Sequence, residues 1–374
     1  MGQFNAKCES DLRSKSPSPP CAQRLCIGRL PARLQWGMEV HHTPPSHMVH
    51  MKKITDILWP VVGVGAVIFS GWLLYKEFQG SSLNQLWATL MAIPPHRWLM
   101  AGLATLAAYA ALAWYDRIAL LHLGKADGIG WSYVALCSFT TYALSHNIGA
   151  SVFSGGMVRY RAYSAKGLSA ADVAVLVAIC SFTFAFGMIL CGGVVFTFEP
   201  ELVQRLFGIM GAKLPEHTAM LVGIGCLSFV ALYMLGAALK LRPLVIRSFR
   251  LDYPRLPIAL RQLVAAPLEI CGAAAIIYFA LPEAGNPGFF VILGIFVAVF
   301  SAALISQAPG GLGVMELLFV KALPGIPKLE VLAAILVFRL LYLVIPLALA
   351  IPVVIGFERS QLKRKLDEAK VAES

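Results

Sequence analysis

Eight stretches of about 20 mostly apolar residues follow one another along the chain, and nothing constrains its fold more. They run Ile57–Tyr75, Trp98–Leu121, Ile129–Phe153, Val173–Phe198, Thr218–Leu239, Leu263–Leu281, Phe289–Pro309 and Val331–Phe357. A helix of that length matches the hydrocarbon thickness of a bilayer, where a spanning segment must satisfy its own backbone. The pattern predicts an all-α polytopic membrane protein. Trp59, Trp72, Tyr75, Trp98 and Trp131 lie near segment ends, as an interfacial aromatic belt would place them. Hydrophobic residues are 58% of the 374 and charged residues 14%, which leaves no soluble domain large enough for separate chemistry.

Three regions differ in composition. Residues 1–50 are rich in Ser, Pro, Arg and His and read as a disordered tail. Met51-Lys52-Lys53, just before the first apolar run, resembles a natural start. Residues 51–357 form the transmembrane domain, and 358–374 a short basic helix at the membrane surface. Cys137, Cys180, Cys191, Cys226 and Cys271 fall inside apolar runs, where Cys acts as a small hydrophobe. The tail also holds Cys21, Cys26 and a cluster of His41, His42, His47 and His50 that offers metal ligands, but no disulfide, structural metal or cofactor is expected. The net charge of +11 comes from basic residues between apolar segments, which points to anionic lipid and not to nucleic acid.

The distribution of those basic residues tests the topology. If all eight segments cross, Lys and Arg divide thirteen against ten, counting the four nearest Phe357 at the C-terminus, and no orientation is preferred. If the third and seventh segments enter and return, the division is seventeen against six, with both termini cytoplasmic. These two segments run into Ser145-His146-Asn147-Ile148-Gly149 with Ser154-Gly155-Gly156, and Ser306-Gln307-Ala308-Pro309-Gly310-Gly311-Leu312-Gly313. Gly and Pro break helices, and broken backbone at membrane depth must be buried or line a wet cavity. Breaks in corresponding positions of two halves suggest inverted repeats around a substrate site.

Ionisable residues within apolar runs are costly, so they usually face the bundle interior and pair. Arg159, after Gly155-Gly156, offers a planar fork suited to a lipid phosphate; Arg159 and Arg161 also fit ordinary loop arginines. Glu316, after Gly310-Gly311, suits either a helix cap or a carboxylate that meets a cationic headgroup or an arginine. Glu269 and Arg339 form either a structural ion pair or part of the site. Asp116, near the end of its segment, fits an interfacial position as well as a functional one. His146 reads as a hydrogen-bonded interior histidine. No Walker A loop, dinucleotide fingerprint, His-Glu-x-x-His or Gly-x-Ser-x-Gly occurs, so no enzyme constellation is expected.

Ser-Gly-Gly-Met-Val-Arg at 154–159 and Pro-Gly-Gly-Leu-Gly-Val-Met-Glu at 309–316 resemble the lysylphosphatidylglycerol synthetase transmembrane family, the flippase region of the bacterial multiple peptide resistance factor. The resemblance covers roughly Lys52 to Arg359. It implies movement of aminoacylated phosphatidylglycerol, or a related anionic phospholipid, to the outer leaflet of the inner membrane, with resistance to cationic antimicrobial peptides as the consequence. It maps the family's arginine to Arg159 and its acid to Glu316, with Asp116 and Glu269 matching further acids. Full-length members continue into more spans and a lysyl-transferring domain, whereas this chain ends at Ser374. The expectation is a flippase-like chain without that module, alone or as a homo-oligomer. A truncated synthase and a scaffold for a separate lipid-modifying enzyme are the alternatives.

Overall fold

The computed structural model describes Trp72 and residues 83–373, apart from 149–150, 210–214, 216, 241–243, 247–248, 252 and 307–310. The expected tail at 1–50 and the first segment, Trp72 aside, lie outside the described residues. The helices are α1 (Leu83–Ala92), α2 (Pro95–His122), α3 (Trp131–Ile148), α4 (Ser151–Ser164), α5 (Ala170–Phe198), α6 (Pro200–Ile209), α7 (Thr218–Ala238), α8 (Leu256–Ala280), α9 (Phe289–Ser306), α10 (Val314–Ala322), α11 (Lys328–Arg339) and α12 (Ile345–Glu373). A π-helical turn, Leu340–Val344, joins the last two. Among the described residues six helical stretches are long and apolar enough to cross a membrane: α2, α5, α7, α8, α9 and the run Lys328–Gln361. The chain is therefore an all-α polytopic membrane protein. A loop hairpin, in which β1 (Leu244–Ile246) pairs antiparallel with β2 (Phe249–Leu251), interrupts that description locally.

Helix α8 is the hub, packed against α2, α5, α7, α9 and α11. Lipid tails are as apolar as Leu, so close packing has to hold such helices together. Small residues permit it. Ala104 and Ala108 of α2 are buried against α8, and a Cβ on Gly272 would lie 3.0 Å from the Ala104 carbonyl oxygen. Between α5 and α8 a Cβ on Gly187 would lie 2.8 Å from the Ala266 carbonyl oxygen, inside any real contact distance. Between α5 and α7, Gly223 would meet the Thr197 backbone nitrogen at 2.7 Å. The spans outside this hub turn Leu221, Leu232 and Leu235 of α7 outward, as a lipid-facing surface would.

The third and seventh segments each belong to a helical hairpin, α3 folding back on α4 and α9 on α10. Tyr133, at the start of α3, donates its hydroxyl to the Ala162 carbonyl near the end of α4 at 2.6 Å, and Lys166 sits 4.7 Å over the same ring. Lys125, before α3, lies 4.0 Å from Asp172, beyond α4. Arg161 pairs with Glu358 at 2.6 Å, and Arg97 with Glu283 at 3.2 Å. If all eight segments crossed, each of these three pairs would straddle a hydrocarbon layer about 30 Å thick. With two returns, every pair falls on one face. Arms α3 and α4 pack together, as do α9 and α10, and the Gly285 Cα region approaches the Gly325 carbonyl where the second hairpin closes.

Ser154, Gly155 and Gly156, expected at the first break, are inside α4, because Ser151–Ser164 is one helix; Gly149 lies outside the described residues. A Cβ on Gly155 would stand 3.2 Å from Thr141 Cγ2 and 3.4 Å from Arg159 Nη1, so this glycine sets the spacing of the hairpin arms. At the second break Gly310 lies outside the described residues. Gly311 and Gly313 take φ of 65° and 77°, a left-handed backbone that side chains disfavour, and they turn the chain into α10.

Candidate functional site

Among the described residues five charged side chains are buried: Asp116, Arg159, Glu269, Glu316 and Arg339. The structure joins four of them into two pairs. Arg159 of α4 reaches Asp116 of α2, with Nη2 2.7 Å and Nε 3.2 Å from Oδ1. Tyr163 donates its hydroxyl to Asp116 Oδ2 at 2.9 Å, and Cys180 Sγ lies 3.4 Å from Oδ1. Asp116 is fully buried six residues before the end of α2, where α4 and α5 pack over it.

The second pair joins Arg339 to Glu316. Arg339 Nη2 and Nε donate to Glu316 Oε1 at 2.6 and 2.9 Å. The other carboxylate oxygen accepts the Gly313 backbone N–H at 2.9 Å, so Glu316 both caps α10 and pairs with an arginine. The suggested Glu269–Arg339 pair is overturned, since Arg339 is directed to Glu316. Arg161 pairs with Glu358 near the surface and takes no part in the buried set.

Glu269 stands apart. Tyr342, in the π turn, donates its hydroxyl to Glu269 Oε1 at 2.5 Å, while Glu269 Oε2 has no hydrogen-bond partner. Pro346 explains why Tyr342 is where it is. Proline has no N–H and crowds the carbonyl four residues back, which here is Tyr342. The helix widens into a π turn, closed by Ile345 N–H to the Leu340 carbonyl. The freed Tyr342 carbonyl accepts the Tyr109 hydroxyl at 3.0 Å, and the Leu343 carbonyl accepts Asn147 Nδ2 at 3.2 Å. π turns recur at functional positions because they redirect side chains without ending the helix.

The α3–α4 hairpin packs on this turn. His146, near the end of α3, stacks on Tyr342 at 5.3 Å and lies 5.5 Å from Tyr142, whose ring carries Arg159 at 4.8 Å. Contacts therefore run continuously from Asp116 and Arg159 through Tyr142, His146 and Tyr342 to Glu269, with Arg339, bound to Glu316 of α10, three residues before Tyr342. His146 is interior, as expected, but its Nδ1 lacks a partner, as do Ser138 Oγ and Thr141 Oγ1 on the same helix. The tyrosines escaped the sequence reading. Their one signal was Pro346, four residues after Tyr342 within an apolar run.

Cavities open toward both faces. One of about 470 Å³ is lined by Ile93, His96, Arg97, Leu281, Glu283 and Glu330. Another, of about 400 Å³, lies between the α3–α4 hairpin and α12, where Leu136, Thr140, Val158, Pro352 and Phe357 make it largely apolar. Neither is lined by Asp116, Glu269 or Glu316, so protein separates the buried charges from both.

Residues 61–350 match the Lysylphosphatidylglycerol synthase TM region. The chain belongs to this family. Uncharacterized protein slr0712 of Synechocystis sp. is 28% identical over 333 residues, 87% of this chain and 100% of that protein. Inner membrane protein YbhN of Escherichia coli is 32% identical over 247 residues, 63% of this chain and 72% of its own. Phosphatidylglycerol lysyltransferase of Staphylococcus haemolyticus is 30% identical over 108 residues, 28% of this chain but 13% of that enzyme. Family membership thus agrees with the resemblance carried by the two glycine motifs.

Proposed function

We propose that this member of the family translocates a phospholipid with a cationic headgroup, such as aminoacylated phosphatidylglycerol, across the bacterial inner membrane, with both termini cytoplasmic. The observation that carries the proposal is Glu269, a buried carboxylate with one oxygen unpartnered, held by the π turn on which the α3–α4 hairpin packs. A carboxylate in a dry interior calls for a cation or a proton. The four other buried charges neutralise one another, so Glu269 is the group that can receive a headgroup ammonium. The lipid phosphate then falls to Arg159 or Arg339, whose forks exchange Asp116 or Glu316 for phosphate during passage. The apolar cavity beside α12 offers a path for acyl chains. The inner-membrane protein and lysyltransferase among the relatives, and the charge split of the loops, support location, substrate class and orientation.

Export of such lipids would lower the negative charge of the outer surface and repel cationic antimicrobial peptides. The test is leaflet-resolved amine labelling of lipids in cells that contain aminoacyl-phosphatidylglycerol, with wild-type chain or with Glu269→Gln at matched membrane levels. Outer-leaflet aminoacyl lipid should rise with the wild type and fall about ten- to a hundred-fold with the variant, the loss of one hydrogen bond to a charged group. Labelling unaffected by deletion of the gene would eliminate lipid translocation and leave the scaffold reading.

A further inference from the structure

We infer that Glu269 is a proton-exchange site, at which a proton and the headgroup ammonium occupy the carboxylate alternately, so that lipid moving one way is coupled to a proton moving the other. This rests on the translocation reading above and adds its energy source.

The argument begins from charge balance. Among the described residues, three carboxylates and two guanidiniums are buried, and each guanidinium is bound to one carboxylate at 2.6 to 2.7 Å. One acid is left over. A bare carboxylate in a medium of low dielectric costs several kcal/mol, far more than one tyrosine hydroxyl returns. In the absence of lipid, Glu269 must therefore hold a proton.

Every neighbour fits that state. From α2 the facing groups are Tyr109 and Tyr115, from α5 Cys191, from α8 itself Cys271, and from the π turn Tyr342. His146 of α3 reaches the turn only through its stack on Tyr342. Among the described residues these are phenols, thiols and an imidazole, and none supplies a fixed positive charge. Arg339, at the end of α11, is engaged by Glu316. Tyr342 donates to Oε1, which leaves Oε2 as the oxygen that bears the exchangeable proton.

The exchange step balances. With the site open to the cytoplasmic face, Oε2–H gives its proton to water as the headgroup ammonium arrives, and an ion pair replaces the O–H bond. With the site open to the outer face, the ammonium leaves and water there returns a proton to Oε2. One proton enters for each lipid exported, and the buried site never carries an uncompensated charge. Separation of the buried charges from both cavities by protein is what such a cycle needs, because access from both faces at once would leak protons.

Proteoliposomes with the purified chain, a potential clamped at zero and short-chain lysyl-phosphatidylglycerol provide the test. A gradient of one pH unit should shift the steady-state leaflet ratio of that lipid about tenfold, the ratio of proton activities for one-for-one exchange. An internal pH dye should report proton flux that requires the lipid. Glu269→Gln should abolish both. Difference infrared spectra of wild type should lose a protonated-carboxyl C=O band when the lipid is added, and the Gln variant should lack that band. Lipid that equilibrates between leaflets with no proton flux and no response to the gradient overturns the coupling and leaves translocation standing. Lipid that does not move in any wild-type condition removes translocation, and the coupling with it.

Discussion

Asp116→Asn isolates the contribution of the best-formed buried charge cluster. Asparagine keeps the volume of the side chain but removes its charge, and Arg159 then remains buried 4% exposed without a counter-ion. Breaking a buried pair by removing one partner costs about 3–5 kcal/mol. Membrane proteins unfolded in detergent still find partners for their polar groups, so the low end applies, about 3 kcal/mol. That is a loss of more than about a hundredfold in the folding equilibrium. Tyr163→Phe removes only one O–H bond to the same carboxylate and should cost about 1.5 kcal/mol, the low end for a bond to a charged group. The double variant Asp116→Leu with Arg159→Met replaces the pair by apolar side chains and should recover to within about 1 kcal/mol of wild type, because no charge is stranded. Unfolding by titration of sodium dodecyl sulfate into mixed micelles, followed by tryptophan fluorescence, measures all three. A single variant within about 0.5 kcal/mol of wild type, or a double variant as unstable as the single, would refute the assignment of Asp116 as the counter-ion of Arg159.

Gly187→Ala places a methyl 2.8 Å from the Ala266 carbonyl and should destabilise by about 1–3 kcal/mol in the same titration, whereas Gly102→Ala meets nothing and should be neutral. Tyr109→Phe should cost about 1 kcal/mol by leaving the Tyr342 carbonyl without a donor, and less in a Pro346→Ala background where a backbone N–H is restored; equal costs in both backgrounds would discount the proline origin of the π turn. Single cysteines at Lys125 and Asp172 should be labelled from one face, and those at Arg97 and Glu283 from the other; opposite labelling within either pair would remove the re-entrant hairpins. The purified chain given lysyl-tRNA and phosphatidylglycerol should yield no lysyl-lipid by mass spectrometry, and tRNA-dependent product would establish an enzyme instead.

Span positions and the membrane class follow from sequence alone, because about 20 apolar residues in lipid have no alternative to a helix that satisfies its own backbone. The same local logic located the intramembrane charges and the two segments that fold as hairpins, since each is announced by a residue type that lipid penalises or a helix resists. Partners were another matter. Glu269 and Arg339 looked matched in the sequence, yet Arg339 joins Glu316 and Arg159 joins Asp116. A charge is attracted to whichever opposite charge the packing brings within about 3 Å, and that choice depends on small-residue contacts such as Ala104 with Gly272, which no local pattern encodes. Gly155 and Gly156 likewise read as a break but sit in a helix, because a glycine needed for close approach is indistinguishable in sequence from one needed for a turn. The packing of the α3–α4 hairpin on Tyr342, and the one buried carboxylate among the described residues left without a cation, exist only after residues far apart in the chain are brought together.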